Sequence, residues 1–221
     1  MKKMGKQLMI VVSFCLMLTL VLAGCNTQNN KQTNKNNTPT NQTAKNQNGK
    51  KVDLRNYSKA DDKNKKNADF DVTGKYIKDD SKEVEMNING DDIHIKKASN
   101  FKKDLKGFKG NLKDKKVDVE VTHDKQMAKS LQPTPMTMAN KDGVFERKSD
   151  GSSRVIGKLL TSDKKQVSVQ VGSGKKTYTK TSDFKQDTKG HKVNLTDKMV
   201  RLDIDKSGKV KKLEYNWVDQ Q

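Results

Sequence analysis

The chain contains one stretch of itself twice. Residues 72–121 lie over residues 155–204 at an offset of 83 without a gap, and 19 of the 50 pairs are identical. "VTGKYIKDDSKEVEMNI" stands over "VIGKLLTSDKKQVSVQV", and "KASNFKKDLKGFKGNLKDKKVDVEV" over "KTSDFKQDTKGHKVNLTDKMVRLDI". Seven identities are lysines, which a lysine-rich chain matches by chance. The others include Gly74/Gly157, Phe101/Phe184, Gly107/Gly190 and Leu112/Leu195. The period is too long for a solenoid unit, so the reading is two small domains in tandem, residues 69–125 and 151–221. Residues 126–150 would connect them, and they carry Pro133 and Pro135, two of the three prolines. A hydrophobic fraction of only 31% agrees with small cores instead of one large one.

Both copies read mainly as strand. Val84, Met86 and Ile88 alternate with polar residues, as do Val117, Val119 and Val121, and Val167-Val169-Val171 and Val200-Leu202-Ile204 repeat the pattern. Such alternation puts one face on a core and the other in water. "NGDD", "GSGKK" and "DKSGK" supply the turns between runs. One stretch per copy, Ser99 to about Lys106 and Ser182 to about Lys189, is expected to be a short helix, with a Ser to cap it and a Gly to stop it. Three strands, a short helix and two strands is the order of an OB-type barrel. The predicted fold class is therefore mainly β, two tandem OB-like barrels with one short helix each. "SGKKTYTKTSDF" and "NLTDKMVRLDI" also resemble small β-barrel domains of exported bacterial proteins. The fifth strand is clear in the second copy ("KVKKLEY"). In the first it falls on "QMAKSL" or "PMTMA", so that barrel is expected to close less well.

The N-terminus carries an address. Lys2, Lys3 and Lys6 precede an apolar run from Leu8 to Leu22, too short for the roughly 20 residues of a spanning helix. A basic start, a short apolar core and small residues at its end read as a secretory signal, residues 1–24. Leu22-Ala23-Gly24-Cys25 resembles the lipobox of bacterial lipoproteins. That resemblance implies cleavage before Cys25, a diacylglycerol on its sulfur, and anchorage on the extracytoplasmic face of the cell membrane. The lysine and asparagine bias resembles exported proteins of Gram-positive bacteria of the staphylococcal type. Cys15 would leave with the signal, so the mature chain has no thiol for a disulfide, a metal or a nucleophile. Residues 25–68, rich in Asn, Gln, Lys and Thr, read as a disordered tether with a reach of roughly 35 Å.

No catalytic constellation emerges, and the expectation is a non-enzymatic protein without a cofactor. His94, His123 and His191 lack metal-type spacing. No phosphate loop, nucleophile elbow or zinc-protease motif is present. Asp203, Asp205, Ser207 and Glu214 fit the spacing of a calcium loop around Gly208. The strand-like alternation on the N-terminal side of that run favours a hairpin turn at Lys206–Gly208, with calcium the lesser reading.

The formal net charge of +19 points to anionic partners. Outside a membrane these are lipid head groups, phosphate-rich wall polymers or DNA. Lysines run through every segment, which favours a diffuse attraction, with nucleic acid bound only weakly and without specificity. The residues singled out as ligand contacts are Lys75 and Lys158, at matching places in the first strands, with Tyr178 and Trp217 as stacking groups. The expected function is a membrane-anchored binding or accessory module for an anionic envelope polymer or a protein partner. The alternatives are an adaptor in an envelope or DNA-transfer complex, or a module for oligonucleotides or oligosaccharides.

Overall fold

The computed structural model describes residues 44–58 and 67–220. The segment read as a secretory signal, with Leu22, Ala23, Gly24 and Cys25, lies outside the described residues. Among those described, no helix is long and apolar enough to cross a membrane.

Five strands form the first barrel: β2 (Phe70–Asp79), β3 (Glu83–Ile88), β4 (Asp91–Lys103), β5 (Lys116–Val121) and β6 (Ala128–Pro133). β2, β3 and β4 make an antiparallel meander, β5 returns to β2, and β6 pairs antiparallel with β5 and parallel with β4, which closes the ring. The second sheet repeats the scheme with β8 (Ser153–Ser162), β9 (Gln166–Val171), β10 (Gly174–Asp187), β11 (Met199–Ile204) and β12 (Val210–Tyr215). Here β12 pairs parallel with β10, and β11 pairs with both β12 and β8, so this pairing also returns on itself. The first four strands of the second sheet begin 83 residues after their counterparts, and the last begins 82 after. Two short strands add to the rims: β1 (Lys45–Asn46) on β4 and β7 (Val144–Arg147) on β8.

The alternating residues fill the interiors as expected. Val84, Met86, Ile93, Ile95, Val117 and Val119 are fully buried in one core, and Val167, Val169, Val200, Leu202, Val210 and Leu213 in the other. Burial of each such side chain contributes about 1.5–3 kcal/mol. The repeated glycines have steric causes. A Cβ on Gly74 would stand 2.6 Å from the Asn87 carbonyl oxygen, and one on Gly157 2.8 Å from that of Gln170. Gly107 and Gly190 hold φ of +80° and +78°, a left-handed conformation natural to glycine.

Three expectations are corrected. Neither stretch from Ser99 nor from Ser182 is helical: β4 runs on to Lys103 and β10 to Asp187. In each, the register shifts after Lys97 or Lys180, and the far half of the strand joins the last strand of its own sheet in parallel. Those ladder bonds, made with a segment some 30 residues on, outweigh the local capping signals. The shift also sets the Lys97 ammonium 4.4 Å from the centre of the Phe101 ring, and Lys180 4.2 Å from that of Phe184.

The stretch read as a connector, 126–150, is structured. It holds β6, a four-residue helix α1 (Pro135–Met138) capped by Thr134, and β7. "AKSLQP" is the fifth strand, and its Ala128, Leu131 and Pro133 face inward while Lys129 and Ser130 do not. The first barrel therefore closes.

The tether reading fails over Ala44–Ser58. Ala44 and Leu54 are fully buried in the first core, β1 pairs with His94 and Ile93, and Ser58 bridges to Val72. Sparse apolar residues here suffice because each lands on a preformed barrel, not on its own segment.

Between the barrel and the second sheet lies a groove of about 580 Å³ lined by Asp118, Gln132 and Met138 from one side and Phe145, Arg154 and Arg201 from the other. Two buried polar clusters flank it. Thr73 Oγ1 donates to Asp118 at 2.6 Å, and Arg201 makes a two-pronged pair with Asp219 at 2.7 and 2.9 Å. Burial opposes the Arg201 charge. The hydrogen bonds it donates to Asp219 and the fields of Asp219, Glu214 and Asp118 nevertheless hold its pKa above the ordinary value.

Candidate functional site

A broad concavity lies on the second sheet, at the end where β11 turns into β12. It is a groove of about 990 Å³ with three walls. These are the turn Asp205–Gly208, the turn Lys148–Ser152 leading into β8, and the middle of β10 from Thr181 to Lys185, where the register shifts.

Both turns are built by the same device. Asp150 Oδ1 accepts from the Ser152 N–H at 2.9 Å and from its hydroxyl at 2.6 Å. Asp205 Oδ1 accepts from the Ser207 N–H at 2.8 Å, its hydroxyl at 2.7 Å and the Lys209 N–H at 2.9 Å. An Asp whose carboxylate bonds the backbone two residues on makes its own turn. The serine hydroxyl and these N–H groups hold both carboxyls below the usual range, so they stay ionised and committed to the backbone.

Most of the cations are not committed in this way. Seven Lys and Arg side chains line the groove against four aspartates. Arg154 bonds Asp203 at 3.0 Å, and Lys212 bonds Glu214 at 3.0 Å and pairs with Asp187 at 2.9 Å. Lys148, Lys185, Lys206, Lys209 and Lys211 are exposed and make no ion pair with another described residue. The hydroxyls of Ser153 and Ser182 join them at the wall, and no aromatic side chain lines the groove. The arrangement attracts anions and offers donors to oxyanions.

The residues with the calcium spacing have other partners in this structure. Asp205 spends its carboxylate on the turn, Asp203 faces Arg154, and Glu214 bonds Lys212. Among the described residues no group of three His, Cys, Asp or Glu side chains is placed to hold a metal. The hairpin turn expected at Lys206–Gly208 joins β11 to β12.

The four residues singled out as ligand contacts are not gathered, and none lines the groove. Lys75 is exposed on β2 and Lys158 pairs with Asp197 at 2.9 Å. Tyr178 packs against the second core, and burial pushes its hydroxyl up from the ordinary value. Trp217 is 45% exposed in the closing 3-10 turn. The groove lysines escaped notice because lysine is everywhere in the chain. The usable signal is "DKSGKVKKL", where Val210 and Leu213 are buried and Lys209 and Lys211 exposed.

The same end of the first barrel is filled. Phe70 stands where the second sheet has Ser153, and the Arg55 guanidinium lies 4.6 Å over its ring. Leu54 is buried beside it, its N–H donating to the Gln126 side chain at 2.7 Å, while Gln126 Nε2 donates to Asp53 at 2.8 Å. Lys129, the counterpart of Lys211 in the last strand, is neutralised by Asp69 at 2.9 Å and Glu120 at 3.0 Å. Comparison of the chain with protein-family models, with curated proteins and with solved structures finds no match.

Proposed function

We propose that the chain is a bacterial lipoprotein, held at the extracytoplasmic face of the cell membrane by a lipid on Cys25, whose two tandem OB-like barrels act by binding and not by catalysis. Its ligand is an anionic polymer of the cell envelope. The observation that carries this reading is the set of five unpaired lysines converging on one groove. The meander whose third strand pairs parallel with the fifth supports the OB-like assignment of both sheets, and the matched strand offsets support the tandem one.

Two measurements test it. Fatty-acid labelling is expected to mark the wild type and to be lost in Cys25→Ala, with release from the membrane. The full chain in detergent is expected to bind a glycerol-phosphate polymer with an affinity that falls about 100-fold between 50 and 200 mM salt, as release of several counterions requires. A labelled Cys25→Ala protein, or no binding at low salt, overturns the reading.

A further inference from the structure

The folded part has two equivalent ends, and the chain has treated them differently. In the first barrel the segment Ala44–Ser58 covers that end, Leu54 fills it, and Asp69 and Glu120 cancel Lys129. In the second sheet no described segment covers it, Ser153 replaces Phe70, and the lysines make no ion pair with a described residue.

We infer that each chain carries a single polyanion site, the groove of the second sheet, and that its occupant is an extended phosphodiester chain recognised by charge and not by stacked rings. The inference rests on the anionic-polymer reading and gives it a place, a stoichiometry and a chemistry. Three features select the ligand. The free cations are lysines, point charges suited to phosphate, whereas a polycarboxylate is best gripped by the arginine fork. The one arginine in the wall, Arg154, is already held by Asp203 and by Glu146 at 3.5 Å. The wall hydroxyls donate to phosphate oxygens as in other phosphate-backbone contacts. Finally, sequence-tolerant binding of bases needs aromatic platforms, and the groove has none.

The test is calorimetric titration of the full chain in detergent with three probes of equal charge: a glycerol-phosphate oligomer, oligothymidylate and oligogalacturonate. The expected result is one oligomer per chain. The two phosphodiesters should bind within about threefold of each other, and the carboxylate at least about tenfold more weakly. The double variants Lys209→Glu/Lys211→Glu and Lys185→Glu/Lys206→Glu should each lose about thirtyfold or more, while Lys175→Glu/Lys192→Glu, with the same charge change outside the groove, loses less than about fivefold. Equal losses in all three variants, two oligomers per chain, a tenfold preference for oligothymidylate, or equal binding of the carboxylate overturns the inference and leaves the broader reading standing. Absence of binding by every probe overturns both. Unchanged melting temperatures of the variants establish that a loss comes from the site, since every substituted lysine is exposed.

Discussion

The N–H of Leu54 and the side-chain oxygen of Gln126 meet at 2.7 Å across 72 residues of chain, inside a site where both are nearly or fully excluded from water. This bond fastens the segment before the first barrel to the turn between its last two strands. Leu54→Ala removes a fully buried side chain and is expected to cost about 2–5 kcal/mol. Gln126→Ala strands the Leu54 N–H and is expected to cost about 1–3 kcal/mol. Denaturant unfolding of both variants measures this. Losses near zero would show that Ala44–Ser58 contributes nothing to the fold.

A second prediction concerns Arg201 and Asp219. The Asp219 side chain is only 1% exposed and that of Arg201 13% exposed. Asp219→Ala leaves a buried guanidinium without its counter-ion and is expected to cost about 3–5 kcal/mol. Replacing both, as Arg201→Met with Asp219→Leu, should restore most of that stability, because the penalty comes from the unpaired charge. Unfolding midpoints of the single and double variants decide it.

Acid should find Asp79. Burial alone would raise its pKa, but hydrogen bonds from Lys103 at 2.6 Å, from Lys97 at 2.7 Å and from the Tyr76 hydroxyl lower it from 3.8 to about 2. A folded-state pKa below the unfolded one contributes stability that is complete above pH 3.8 and is lost as pH falls towards 2. The contribution is about 1–2 kcal/mol. Asp79→Asn should therefore flatten the loss of stability over that window, with unfolding free energies at neutral pH and near pH 2 as the check. An identical acid slope in the variant would remove Asp79 from the account.

The paired glycines offer a symmetric test. Gly74→Ala and Gly157→Ala each drive a methyl against a backbone carbonyl on the neighbouring strand, at 2.6 and 2.8 Å. Each is expected to cost about 1–3 kcal/mol. Thermal melts measure the cost, and tolerance of either substitution would refute the close approach.

Much of this molecule was legible in the residues themselves. Alternation such as Val84-Met86-Ile88 is a local property, so strand and facing followed from it, and the repeat offset foretold where the second set of strands begins. The short helices were misread because Ser99 and Gly107 are genuine start and stop signals, whereas the ladder partners that override them, Ser130 and Leu131, lie far along the chain. The candidate groove was likewise hidden. One lysine looks like another in a chain with 46 Lys and Arg, and only folding separates Lys129, neutralised by Asp69 and Glu120, from Lys211, left open. The sequence by itself determined the strands, their inward faces and the twofold repeat, because period and steric need are written residue by residue. Tertiary structure alone decided which end of the repeat is plugged and which charges remain free, because both depend on segments distant in the chain arriving at one place.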